Sequence, residues 1–179
     1  MAFNLHTPET APNASKDQLI QSEKSFGWIP NLHAVLAEAP VVLEAYKSLH
    51  TLFQRSSFNN DELTVVWQVI NYENQCHYCL PAHTAIAHMM KVDQSIIDAL
   101  HTGQPLSDNK LDALRNTTLA LVRNRGKLSQ EEVQAFHDAG YGNQQLLEIL
   151  LGIAQKTISN YTNHLANTPV DEAFAEYQS

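Results

Sequence analysis

The chain has 179 residues, 44% of them apolar, and a formal charge of −8 from 11 Lys and Arg against 19 Asp and Glu. No basic cluster interrupts the acidity, which argues against nucleic acid and anionic membrane as partners, and no run approaches the ~20 apolar residues of a membrane span. Only 17% of residues are charged, so a partner subunit is expected to cover part of the surface of a single domain that needs no disulfide or metal for its core.

Residues 1–14, with their prolines, threonines and asparagines, read as an arm without the shape of a signal peptide. A soluble, cytoplasmic protein is expected. The helical domain is expected over residues 15–179. Ser15 opens a helix as a cap with Gln18 as its partner, and Gly27 ends it. Asn31 caps a short helix that ends before Pro40, and Pro40 opens the next at a position that needs no N–H. Asn60 caps a segment with Leu63, Val66, Trp67 and Ile70 on one face. Its β-branched residues would suit a strand, but its acidic first turn and the lack of a strand partner favour helix. Asn71 to Gln75 breaks the chain, and a new helix is expected from about Cys76 to Met90.

Asp93 caps a helix ending at Gly103, and Ser107 or Asp108 caps one ending at Gly126. Ser129 and Glu132 form a capping box for a helix ending at Gly140. Asn143 caps a long helix with Leu147, Leu150, Ala154, Ile158, Tyr161 and Leu165 along it. Its few charges, chiefly Glu148 and Lys156, place it in the centre or at a subunit interface. A last helix follows Pro169. No strand alternation, hairpin turn or repeat is visible, so the expected architecture is all-α in one domain.

Both cysteines of the protein fall in Cys76-His77-Tyr78-Cys79-Leu80-Pro81-Ala82-His83. In a reducing compartment such a pair suits catalysis or metal binding better than a structural disulfide. At about 100° per helical residue, Cys79 and His83 fall about 300° and about 340° from Cys76, so the three share a face about 60° wide. Pro81 is tolerated only near a helix start. Thiols placed there meet unpaired N–H groups and the positive dipole end, which favour a thiolate. Nucleophile, second thiol and His83 as proton shuttle suit peroxide reduction through a disulfide, reset by an external thiol; they also suit plain disulfide exchange.

Two blander readings compete. The cysteines could be inert and buried, or Cys76, Cys79 and His83 could hold zinc, but no fourth ligand is evident because His77 and His88 face elsewhere. His6, His33, His50, His101, His137 and His164 read as surface or core groups, and Trp67 as core.

The stretch Glu73 to His83 resembles the alkyl hydroperoxidase D-like branch of the carboxymuconolactone decarboxylase superfamily, among its peroxidase-related proteins. Phe26 to Leu32, Phe136 to Tyr141 and Asn160 to Leu165 extend the likeness over roughly residues 20–175. The resemblance implies an all-α fold of helical hairpins, a homo-oligomer (trimer or hexamer), no cofactor, and antioxidant peroxidase activity on hydroperoxides. By position it implies Cys79 as the reactive thiol, Cys76 as its disulfide partner and His83 as the relay; helix-terminus reasoning alone favours Cys76 as attacker. Two family relay positions differ. The glutamate position is Thr64, and the histidine before the second cysteine is Tyr78, leaving Glu73, His77 and Tyr78 itself as the neighbouring relay candidates. Two other functions compete: a cofactor-free decarboxylase or lactone-processing enzyme, whose family members typically lack the cysteine pair, and a redox-sensing oligomer without turnover.

Overall fold

Local capping chemistry sets many of the helix starts. In the computed structural model, which describes residues 3–178, nine α-helices and a 3₁₀ helix occur and no strand is present among the described residues. They are α1 (Asn13–Phe26), α2 (Asn31–Leu36), α3 (Pro40–Gln54), α4 (Asn60–Glu73), α5 (Cys79–Met89), α6 (Gln94–His101), α7 (Asn109–Arg123), α8 (Gln130–Asp138) and α9 (Asn143–Ala166), with the 3₁₀ helix at Glu172–Tyr177. Asp93, Asp108 and the Ser129–Glu132 box cap α6, α7 and α8 as their sequences imply.

Four other caps differ. Helix α1 begins at Asn13, and Ser15 lies buried inside it, its Oγ donating to the Ala37 carbonyl at 2.7 Å. The α4 cap is Asn59, one residue earlier than expected, boxed with Glu62. Asn143 is the first helical residue of α9 rather than its cap, and Gln145 accepts the Gly142 N–H. Asn31 is likewise the first residue of α2, and its N–H is taken by the distant Asp171 carboxylate at 3.0 Å.

Of the arm and domain read over 1–14 and 15–179, residues 1, 2 and 179 lie outside the described residues. The rest of the arm is tied down: the His6 N–H donates to the Ala34 carbonyl, and its ring meets Glu38 at 2.7 Å.

Helix α4 is central, packed by α5, α6, α7 and α9. It forms an antiparallel hairpin with α5 across the cysteine turn, where Gln68 reaches Thr84 and Asn71 reaches the Cys79 carbonyl. Helices α3 and α9 run antiparallel in close contact at Gly152, where an added Cβ would sit 2.9 Å from Val66 and 3.1 Å from Phe53. One apolar core gathers around Trp67, Leu114, Phe136 and Ile149. A second, built from α1, α2, α3 and α5, contains Leu19, Leu43, Tyr46 and both cysteines.

Between them runs a buried polar seam from α4 (Gln68, Asn71), α5 (His83, Thr84) and α9 (Gln155, Lys156, Ser159, Asn160, Asn163). Helix α9 is thus inverted. Its polar stripe is buried, and on the opposite side Leu147, Leu150, Tyr161 and Leu165 are 67, 43, 56 and 74% exposed. No helix of the described residues is long and apolar enough to cross a membrane.

Candidate active site

The site begins where α4 runs out. After Glu73 the chain turns through Asn74 and Gln75, and Gln75 has φ +51°, a left-handed conformation that a side chain disfavours. The turn is held because the Cys76 N–H donates to the Asn71 carbonyl at 3.0 Å. Helix α5 starts at Cys79, three residues later than the sequence suggests, so Cys76 precedes the helix instead of lying in it. The Cys76 sulfur nevertheless acts as a cap, accepting the Cys79 N–H at 3.3 Å, while the Cys76 carbonyl accepts from Leu80 at 3.1 Å. Pro81 is the third helical residue, where no intrahelical N–H bond is lost.

The two sulfurs are brought together, as their spacing implies. Asn163 of α9 donates from one Nδ2 to both, at 3.3 Å to Cys79 and 3.8 Å to Cys76. Both thiols are free, and neither is exposed: Cys76 is at 0% and Cys79 at 2%.

Which sulfur carries charge is decided by competition. A backbone N–H and the helix N-terminus favour Cys76, a contribution of about 1 kcal/mol. Burial opposes charge on Cys79. The Cys76 thiol, the Lys156 charge and the Ser159 and Asn160 side chains outweigh it, bringing the Cys79 pKa down to about 5. Cys76 is pushed up, first by its hydrogen bond to Cys79 and then by burial. The balance favours charge on Cys79, with Cys76 as its neutral partner.

His83 does not hydrogen-bond either sulfur. Its Nε2 lies 2.9 Å from Nζ of Lys156, which is fully buried. Burial, the Lys156 charge and His50 hold His83 well below its ordinary range, so the ring is neutral near pH 7. Trp67 lies against it at 4.8 Å between ring centroids, and His50 stacks on the same indole at 5.4 Å. Gln155 accepts from Trp67 Nε1 at 2.8 Å and holds His50 Nδ1 at 3.0 Å. Burial and the Lys156 charge bring His50 down to about 4. Trp67 is a core residue, as read from sequence, and also a wall of this polar seam.

The three neighbouring relay candidates are placed elsewhere. Glu73 forms a two-pronged pair with Arg123, both bonds at 2.8 Å. His77 Nε2 meets the Thr168 carbonyl at 2.9 Å. The Tyr78 hydroxyl donates to Asp171 and accepts the Leu32 N–H. None hydrogen-bonds a sulfur among the described residues; His77 and Tyr78 fasten the cysteine turn to the C-terminal segment. Thr64, at the family's glutamate position, is buried on α4. Among the described residues, no group of three or more His, Cys, Asp and Glu side chains is placed to hold a metal ion.

Sequence reading missed Lys156, Ser159, Asn160 and Asn163. Their signal was present in the 155, 156, 159, 160, 163 spacing, a polar stripe on one face of an otherwise apolar helix.

No family model matches the sequence, and no curated protein matches it significantly. Solved structures match in fold. An alkylhydroperoxidase AhpD core protein of Ralstonia eutropha JMP134, described as peroxidase-related, superposes with a TM-score of 0.83 at 16% identity, over 96% of this chain and 93% of that one. A peroxidase-related protein of Silicibacter sp. TM1040 gives 0.81 at 16% identity, over 97% and 93%. A cysteine-to-alanine variant of the debrominase Bmp8, in complex with 2,3,4-tribromopyrrole, gives 0.80 at 15% identity, over 99% and 95%. The fold is that of the alkyl hydroperoxidase D core, in agreement with the resemblance in the sequence.

Proposed function

We propose that the protein is a thiol-dependent oxidoreductase that reduces hydroperoxides through a Cys76–Cys79 dithiol–disulfide cycle, with Cys79 as attacker and Cys76 as resolver. The observation that carries this reading is a pair of buried cysteine sulfurs, three residues apart, that share the Asn163 amide in surroundings favouring charge on Cys79. The thiolate attacks the peroxide oxygen, an S–O bond forms as O–O breaks, and the alkoxide leaves with a proton. Cys76 then attacks the sulfenic acid, releasing water and closing the disulfide. An external dithiol restores both cysteines by exchange. Attack starts from the sulfur that holds the charge, because the thiolate is the nucleophile.

Peroxide consumption with a dithiol reductant is expected to drop at least a hundredfold in Cys79→Ser. Cys76→Ser is expected to retain a single turnover, ending in a Cys79 sulfenic acid that a dimedone-type probe traps. Undiminished turnover in Cys79→Ser would sink the reading. The same thiolate suits removal of bromine from an aromatic ring, the chemistry named for the debrominase neighbour. A brominated pyrrole belongs in the substrate panel, and turnover of that compound alone would replace the peroxide reading.

The exposed apolar side of α9 supports a second part of the proposal, that the protein works as a homo-oligomer. Leu147 and Leu165, at 67 and 74% exposure, are more open than a lone chain favours for such residues.

A further inference from the structure

Lys156 is a lysine shut off from solvent and, among the described residues, paired with no carboxylate. It is 0% exposed. The ion pairs among the described residues join His6 to Glu38, Lys110 to Glu62 and Arg123 to Glu73, and Lys156 takes part in none. A buried ammonium costs several kcal/mol unless a counter-charge is near. The groups packed around it leave few choices. On α9, Ser159, Asn160 and Asn163 continue its face, and Gln155 precedes it, all uncharged. From α5 come neutral His83, at hydrogen-bond distance, and Cys79, from the preceding turn Cys76, and from α3 neutral His50, the last three near enough to feel the lysine's charge. The counter-anion in this group is a cysteine sulfur.

The hydrogen bond to His83 adds a second constraint. An ammonium has only donors, so at 2.9 Å His83 Nε2 must accept and Nδ1 must carry the ring proton. Nδ1 is buried and has no hydrogen-bond partner. A neutral histidine with an unused N–H and a cation on its other nitrogen can hand on one proton as it takes up another.

We infer that Lys156 is the counter-ion of the Cys79 thiolate and the proton source of the cycle, delivering its proton through His83 to the departing oxygen. This rests on the reading of Cys79 as the attacking thiol. The bookkeeping closes without another acid. When the Cys79 thiolate bonds to the peroxide oxygen, the leaving alkoxide takes the proton of His83 Nδ1, and Nε2 takes one from Lys156, leaving the lysine as a neutral amine. The Cys76 thiol proton leaves with the sulfenic oxygen as water when the disulfide forms. The thiolate charge has then vanished, and the lysine charge with it. The reducing dithiol brings two electrons and two protons, of which one returns to Cys76 and the other to Lys156. The buried site holds a balanced ion pair when reduced and no net charge when oxidised.

Lys156 is in this sense a positioning residue, acting through Cys79 and His83, and two readouts test it. The pH dependence of Cys79 alkylation in the reduced protein is measured for the native chain, Lys156→Met and Lys156→Arg. Met is expected to move the midpoint upward by about one to three units, the effect of removing a neighbouring cation, and Arg to return most of that shift. Melting curves of each variant confirm that the fold persists, and a Lys156→Gln variant replaces Met if it does not. An unmoved midpoint in a folded Met or Gln variant overturns the counter-ion role. The redox potential of the native Cys76–Cys79 couple, followed between about pH 6 and 8, is expected to change with two protons per two electrons. One proton per two electrons would mean that the lysine stays charged throughout, and overturns the relay. Neither readout uses peroxide, so a protein that fails to turn over peroxide and still shows both results loses the proposed substrate while the lysine's role stands.

Discussion

Asn163 spends one amide nitrogen on two sulfurs, and that geometry makes a sharp prediction. Its Nδ2 is the donor that both cysteines share, while its Oδ1 is buried without a partner. Replacing Asn163 by Ala removes the donor and keeps the helix. Cys79 alkylation at neutral pH is expected to slow about tenfold, the equivalent of one pKa unit, and an unchanged rate would show that the amide does not support the charge. The polar stripe of α9 could be seen in the sequence, but its tie to Cys76, Cys79 and His83 could not. The latter three lie within eight residues and stand out as one motif. Lys156, Ser159, Asn160 and Asn163 arrive from α9, and only the packing of α9 on α4 and α5 puts them there. Local proximity also misled. Glu73 precedes the motif and Tyr78 lies within it, yet partners 50 and 93 residues away claim them.

Among the elements, α9 carries the most unusual design. Hydrophobic spacing placed it correctly as a long helix with an apolar side, but the side turned to the core is the polar one. Gly152 permits this. The lack of a side chain lets the helix approach α3 and α4 closely enough for Lys156 and Asn163 to reach the cysteine turn. The apolar side then lies on the surface, and its assembly is testable on the element itself. A Leu147→Glu, Leu165→Glu double variant is expected to sediment as a monomer where the native chain sediments as a multiple. The same low sedimentation coefficient for both would remove the case for self-association. Caps follow a similar logic. Those donated by the adjacent residue, at Asp93, Asp108 and Ser129, were legible. The one for α2 was not, because a proline precedes the helix and the carboxylate comes from Asp171, 140 positions away.

The whole molecule is stabilised around neutral histidines, and this fixes how it responds to acid. His33, lowered by burial and by Lys47 to about 3, is joined by His50 at about 4 and by His83 still in the same direction. An unfolded histidine titrates near 6.5. As pH falls below that value the unfolded chain takes up protons that the folded chain refuses, so stability declines by about 1.4 kcal/mol per pH unit for each histidine. The loss continues down to the folded pKa of each. The urea midpoint is therefore expected to be clearly lower at pH 5 than at pH 7. Equal midpoints would mean that these rings are charged in the folded state or exposed to water.

The Asp171 carboxylate and the Thr168 carbonyl, which fasten Tyr78 and His77, sit near the chain's C-terminal end, as do Lys156 and Asn163. Translation makes these residues well after the two cysteines. While they are still inside the ribosome, Cys76 and Cys79 are already outside it, with neither the cation nor the amide that sets their chemistry. A nascent chain that has not yet released α9 thus presents two cysteines without Lys156 or Asn163 beside them, and the buried site is completed only when α9 docks.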